Sequence, residues 1–158
     1  MENKIQKMLE QALDLAEEQE YDEAILIYNK ILKINPNNMN AIIDKATTLQ
    51  RLGKNSLALT LYEKALMNEP KNIDALIGKG STLHAQKKFS NAIEFYNIAL
   101  KIDPKFPVAL AYKGLSLGEQ GKIKDALSLF KKALSIDKNY DLALISKQKA
   151  LELLKSKR

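Results

Sequence analysis

The sequence has no cysteine and no tryptophan, and only 6 glycines and 4 prolines among 158 residues. Without cysteine there is no disulfide framework, no thiolate metal site and no cysteine nucleophile, which fits a reducing compartment. So few turn-forming residues cannot supply the dense turns of an all-β sandwich. Histidine occurs once, as His84. A metal site built on imidazole needs further nitrogen or sulfur ligands, and a general base needs an orienting acid and a nucleophile in a closed pocket. Gly78 and Gly80 are followed by no Gly-Lys-Ser/Thr, so the phosphate-cradling loop is missing too. No catalytic residue, metal, cofactor or small-molecule substrate is expected, and the chain does not read as an enzyme. No apolar run is longer than Ala24 to Tyr28, far short of the roughly 20 residues that cross a bilayer. The stretch Met1 to Lys7 also lacks the apolar centre of a secretory leader. The expectation is a soluble, cytoplasmic protein without membrane contact.

What is present is a 46% apolar composition, enough for a core, arranged with a fixed period. Ala24, Ala58, Ala92 and Ala126 are each 34 residues apart, and so are Tyr28, Tyr62, Tyr96 and Phe130. Leu32, Leu66, Leu100 and Leu134 form another such column, and Pro36, Pro70 and Pro104 a fourth. Within each period the apolar residues recur at helical spacing, as in Ala24, Ile25, Tyr28, Ile31 and Leu32, and an earlier helix precedes each such run. Gly53 and Gly121 suit the turn between the two helices, where positive φ is needed. Gln19 or Glu20, and Lys87, must make that turn elsewhere under strain. The prolines end the second helices by driving the preceding residue out of the α region. Asn37 or Asn38, Asn72 and Asn139 then stand where the next helix needs a cap, and Pro107 suits a first helical turn. Ala12, Ala46, Gly80 and Gly114 are small residues one period apart on the first helices; facing the Ala24 column, they let paired helices approach closely.

This 34-residue helix–turn–helix, with its small, aromatic and proline columns, resembles the tetratricopeptide repeat (TPR) family. The family's frequent Trp is replaced by Met8, Ile42, Leu76 and Leu110, its mid-helix Tyr by Leu15, Leu49, Leu83 and Leu117, and the last proline by Lys138. Apolar replacements keep the core. The resemblance implies an all-α, right-handed α-solenoid forming a single domain over 1–158. It would have four TPR repeats at about 5–38, 39–72, 73–106 and 107–140, plus a C-terminal capping helix at about 141–155. The ends agree: Ala41, Ala75, Ala109 and Ala143 suit contact with a preceding hairpin, and the first unit has Lys7 in that column. Leu144 and Leu151 are expected to cover the fourth repeat, with Lys147, Gln148 and Lys149 in water.

In this family the first helices line a concave groove that takes peptides. By resemblance, the groove here contains Leu13, Ile43, Asp44, Thr47, Gln50, Asp74, Ile77, Ser81, His84, Ala111, Tyr112 and Leu115. The implied function is a non-catalytic protein–protein interaction scaffold or adaptor. Apolar groups and Tyr112 would anchor a partner protein or peptide, and Asp44 and Asp74 would favour its basic residues. A co-chaperone or assembly factor shielding client segments would use the same groove. Some TPR domains clamp the carboxylate of chaperone tails with cations; the corresponding positions here carry Leu9, Leu13, Asp44, Asp74 and Gly78, so that mechanism is not expected. Self-association as a homo-oligomer through an open end is a third reading. The net charge of +6 arises from 25 Lys+Arg against 19 Asp+Glu, with clusters at Lys87-Lys88, Lys131-Lys132 and the C-terminal tail. Nucleic-acid readers join such charge to stacking aromatics; here the aromatics belong to the hairpin cores, so nucleic acid is not the expected partner.

Overall fold

The computed structural model describes residues 2–156, and among these there are nine α-helices and no strand. They are α1 (Glu2–Glu17), α2 (Tyr21–Ile34), α3 (Met39–Arg51), α4 (Asn55–Asn68) and α5 (Ile73–Ala85), then α6 (Phe89–Ile102), α7 (Pro107–Glu119), α8 (Ile123–Ile136) and α9 (Asp141–Ser156). The chain divides into two compact units, Met1–Thr82 and Leu83–Arg158.

One turn is built four times. Gln19, Gly53, Lys87 and Gly121 have φ of 67°, 73°, 60° and 78°. At each, the N–H of the left-handed residue reaches back to a carbonyl three residues earlier: Gln19 to Ala16 (3.4 Å), Gly53 to Gln50 (2.9 Å), Lys87 to His84 (2.8 Å) and Gly121 to Gly118 (2.9 Å). The next N–H reaches back five residues, as from Lys54 to Leu49 and from Lys88 to Leu83, both at 2.9 Å. This pair of bonds satisfies the last carbonyls of the first helix and reverses the chain in a few residues. Gln19, not Glu20, adopts the strained geometry in the first hairpin.

The N-termini depart from expectation at one point. Asn38 Oδ1 accepts from the Ala41 N–H at 2.9 Å, and Asn72 Oδ1 from the Ala75 N–H at 3.0 Å, capping α3 and α5. Asn139 caps nothing: its own N–H donates to Asp137 Oδ1 at 3.0 Å, and α9 begins two residues later. The cap column is 38, 72, 106 and 140, so the fourth position is Tyr140 and the asparagine lies one residue early. Phe106 precedes α7 without a side-chain cap, and Pro107 holds its first turn.

In the first unit α1 packs on α2, α3 on α4, and α2 on α3. Tyr28 and Tyr62 are buried there with Ala12, Ala24, Ala46 and Ala58 around them. The alanines leave space that each phenol ring fills, and burying a ring of that size contributes about 1.5–3 kcal/mol. The second unit repeats the arrangement, with α7 on α8, α6 on α7, and α9 against α8 and α7. Ala143, Ser146 and Ala150 of α9 are buried, and Leu151 and Leu154 pack on Ala126, Leu127 and Phe130. Leu144, expected with Leu151 to cover the fourth repeat, is covered only in part. It is 43% exposed, next to Ile145 at 69%.

Candidate functional site

The sequence-derived binding positions fall on α1, α3, α5 and α7. In the first unit they form a linked polar and apolar surface. Thr47 Oγ1 and the Tyr62 hydroxyl share a hydrogen bond of 2.9 Å, and Gln50 Nε2 donates to Ser81 Oγ at 3.0 Å. These bonds fix the orientation of Thr47 and Gln50, since Tyr62 is itself 1% exposed and cannot swing. Leu13 is exposed and Ile43 half-buried, so both offer apolar area. Ile77 is different: at 8% exposure its side chain belongs to the packing, and it is not available to a partner.

Asp44 is the electrostatic feature of this surface. It is half-buried on α3, and its carboxyl is pushed up to about 6, first by burial and then by the neighbouring charge of Asp74. Removing a carboxylate from water disfavours its charged form, and a second carboxylate adds repulsion. The charge acting on Asp44 is therefore of the same sign, a situation that an incoming ammonium or guanidinium group would relieve.

In the second unit, His84 Nδ1 and Ser116 Oγ share a hydrogen bond of 2.8 Å, and the imidazole meets the Phe89 ring edge-on at 5.1 Å between centroids. Burial lowers the His84 pKa, opposed in part by Glu119, so the ring favours its neutral form. Tyr112 stacks on Tyr96 with centroids 6.0 Å apart. Ala111 is fully buried and touches no surface, because a single methyl on this column does not reach past its neighbours. No group of three or more His, Cys, Asp or Glu able to hold a metal occurs among the described residues. No described helix is long and apolar enough to cross a membrane.

Among the sequence-derived positions, Leu115 opens onto a cavity. It has a volume of about 320 Å³ and lies between α7, α8 and the C-terminal half of α9. Gly118, Ile123, Phe130, Ser146 and Ala150 form its walls, with Glu119 and Lys149 also lining it. None of these stands among the sequence-derived binding positions; the sequence places Phe130 in the aromatic core column and Lys149 in water. The signal was available in the 34-residue columns, where Gly118 stands in the column of His84 and Ser146 in that of Tyr112.

Helices paired through one repeated left-handed turn, with small and aromatic residues recurring at a fixed period, define a helical-hairpin repeat protein. The chain belongs to the tetratricopeptide repeat family: profiles of this repeat match residues 43–107, and residues 15–38 and 109–140. No curated protein sequence matches the chain significantly. Solved structures do. TTC0263, a thermophilic TPR protein of Thermus thermophilus, is 20% identical with a TM-score of 0.79, over 94% of this chain and 90% of that one. YrrB, described as a TPR protein with an unusual peptide-binding site, is 22% identical with a TM-score of 0.73, over 87% and 71%. The first TPR of Spaghetti (RPAP3), solved with the HSP90 peptide SRMEEVD, is 21% identical with a TM-score of 0.69, over 73% and 92%. At these identities the likeness shows the fold alone, an all-α helical repeat solenoid.

Proposed function

We propose that the chain is a non-catalytic scaffold or adaptor that binds a polypeptide segment on its first-helix faces, with Asp44 and Asp74 selecting a basic side chain. The observation that carries this reading is Asp44, a half-buried carboxylate whose neighbouring charge is another carboxylate. A structural carboxylate in that position is usually held by a cation or by donors; one held up by burial and by like charge is better served by a guest. Leu13 and Ile43 supply apolar contact beside it, and Thr47 and Gln50 supply hydrogen-bonding groups already oriented by Tyr62 and Ser81. Two fold neighbours have peptides or a peptide site in their descriptions, which supports the class of partner though not its sequence. Shielding of client segments would use the same faces, but it gives the acidic pair no role.

The test is calorimetry with peptides selected from a random library on the full chain. Lys- and Arg-containing peptides should bind. Their affinity should fall about tenfold when both Asp44 and Asp74 are changed to Asn, the loss of roughly one charge-assisted contact. Equal affinity for peptides with the charges reversed would sink the electrostatic reading.

A further inference from the structure

The cavity between α7, α8 and α9 is a place where the repeat has been emptied. One period earlier in the same unit, rings make three contacts at the corresponding positions: His84 with Ser116, His84 with Phe89, and Tyr96 with Tyr112. Adding 34 to each number gives Gly118 with Ala150, Gly118 with Ile123, and Phe130 with Ser146. Every pair has lost at least one aromatic ring, and all five of these residues line the cavity. Three rings are replaced, the imidazole of His84, the phenyl of Phe89 and the phenol of Tyr112, and only Phe89 is replaced by a side chain of comparable reach, Ile123.

The packing around Gly118 does not require a residue without a side chain. A Cβ built on Gly118 would meet only the Ala126 Cβ, at 3.9 Å, whereas one built on Gly114 would meet the Phe130 ring at 2.6 Å. Glycine at Gly114 is thus a steric necessity and at Gly118 it is not. Ser146 is 8% exposed and lines the cavity with a hydroxyl where its predecessor has a ring.

We infer that this cavity is a receptor for an aromatic side chain of the bound polypeptide, which enters the space that His84 and Tyr112 fill one repeat earlier. The identity of the occupant as a polypeptide rests on the function proposed above. The size is sufficient, since an apolar cavity of about 150 Å³ already holds benzene and this one is about 320 Å³. Phe130 offers an aromatic wall, Ser146 a hydroxyl for a phenol or indole N–H, and Glu119 and Lys149 both charge signs for the flanking backbone.

The experiment uses the full chain, first with the side-chain analogues p-cresol and 3-methylindole and with methylcyclohexane as an aliphatic control. Amide NMR titration should show saturable shifts of Gly118, Gly121, Ala126 and Ser146 with the aromatic probes, and at least about tenfold weaker binding of methylcyclohexane. Gly118→His and Ser146→Tyr, which restore the rings of the preceding repeat, should each abolish the shifts, and far-UV circular dichroism verifies that each variant is folded. Gly118→Ala should retain them. Absent shifts, equal binding of the aliphatic probe, or unchanged binding in both refilled variants overturns the inference. Random-peptide selection on the wild type and on whichever refilled variant folds then separates it from the function it rests on. Aromatic residues should be enriched on the wild type and lost on the variant, with basic residues retained on both. Basic enrichment without aromatic enrichment refutes the cavity's role alone; no enrichment of any peptide refutes the polypeptide reading and the occupant with it.

Discussion

The ring of Tyr62 occupies the space that a side chain at Gly78 would need. Tyr62 is 1% exposed and bonded through its hydroxyl to Thr47, so it has no room to yield. Gly78→Ala adds helix propensity of about 1 kcal/mol but forces a buried ring out of place, an overpacking cost of about 1–3 kcal/mol. The net effect should be destabilising, seen as a lower denaturation midpoint in urea. Gly118→Ala is the contrasting case. With only one distant neighbour for its Cβ it should stabilise the protein, by up to about 1 kcal/mol. If both variants move in the same direction, the steric distinction between these glycines is wrong.

Asp44 links stability to pH. Its native carboxyl titrates at about 6, above the ordinary carboxylate range near 4. The folded chain therefore binds this proton more tightly than the unfolded chain does. The group's stabilising contribution is complete below about pH 4 and is lost as pH rises through about 6. Because the side chain is partly in water, the effect at pH 7 should be discounted to about 1 kcal/mol. Asp44→Asn should be more stable than the wild type by that amount at pH 7, and the gap should close as pH falls toward 4. Denaturant titrations at several pH values would show it, and a gap that does not change with pH would contradict the assignment.

The four hairpin turns provide an internal comparison of backbone strain. Gln19 and Lys87 occupy the left-handed region that Gly53 and Gly121 occupy at no steric cost. Gln19→Gly and Lys87→Gly should each raise stability by about 0.5–1 kcal/mol. Gly53→Ala and Gly121→Ala should each lower it by a similar amount, although neither added methyl meets another atom within 4 Å. Thermal melts of the four variants would check the sign at each turn.

Helix capping separates three asparagines that look alike in sequence. Asn38→Ala and Asn72→Ala each remove an acceptor for a first-turn N–H and should cost about 1 kcal/mol. Asn139→Ala removes no side-chain cap and should be close to neutral. Chemical denaturation resolves a difference of that size, and equal losses at all three positions would show that the caps contribute little.

Much of this protein can be read without coordinates because each 34-residue period repeats the same physical problem. Small residues at Ala24 and Ala58 admit large ones at Tyr28 and Tyr62, and helical spacing dictates which faces are buried. A left-handed residue at 19, 53, 87 and 121 follows from the need to reverse the chain. These requirements are local, so a one-dimensional string is sufficient to state them. The errors came where a column was assumed to keep its environment. Asn139 is one residue out of register with its cap column. Leu144 is apolar but 43% exposed. Ala111 and Ile77 share a column with Ile43, yet both are buried while Ile43 is half-buried.

The sequence by itself determined the helical class, the period, the hairpin turns and the residues that fill each core, since all of these depend on spacing along one chain. The tertiary structure alone decided which side chains meet across helices: that Asp44 is burdened by Asp74, that Tyr62 forbids a side chain at Gly78, and that Gly118 faces open space. The physical reason is that burial, like-charge proximity and void volume depend on distances between residues far apart in the chain, and the identities of the partners do not specify those distances.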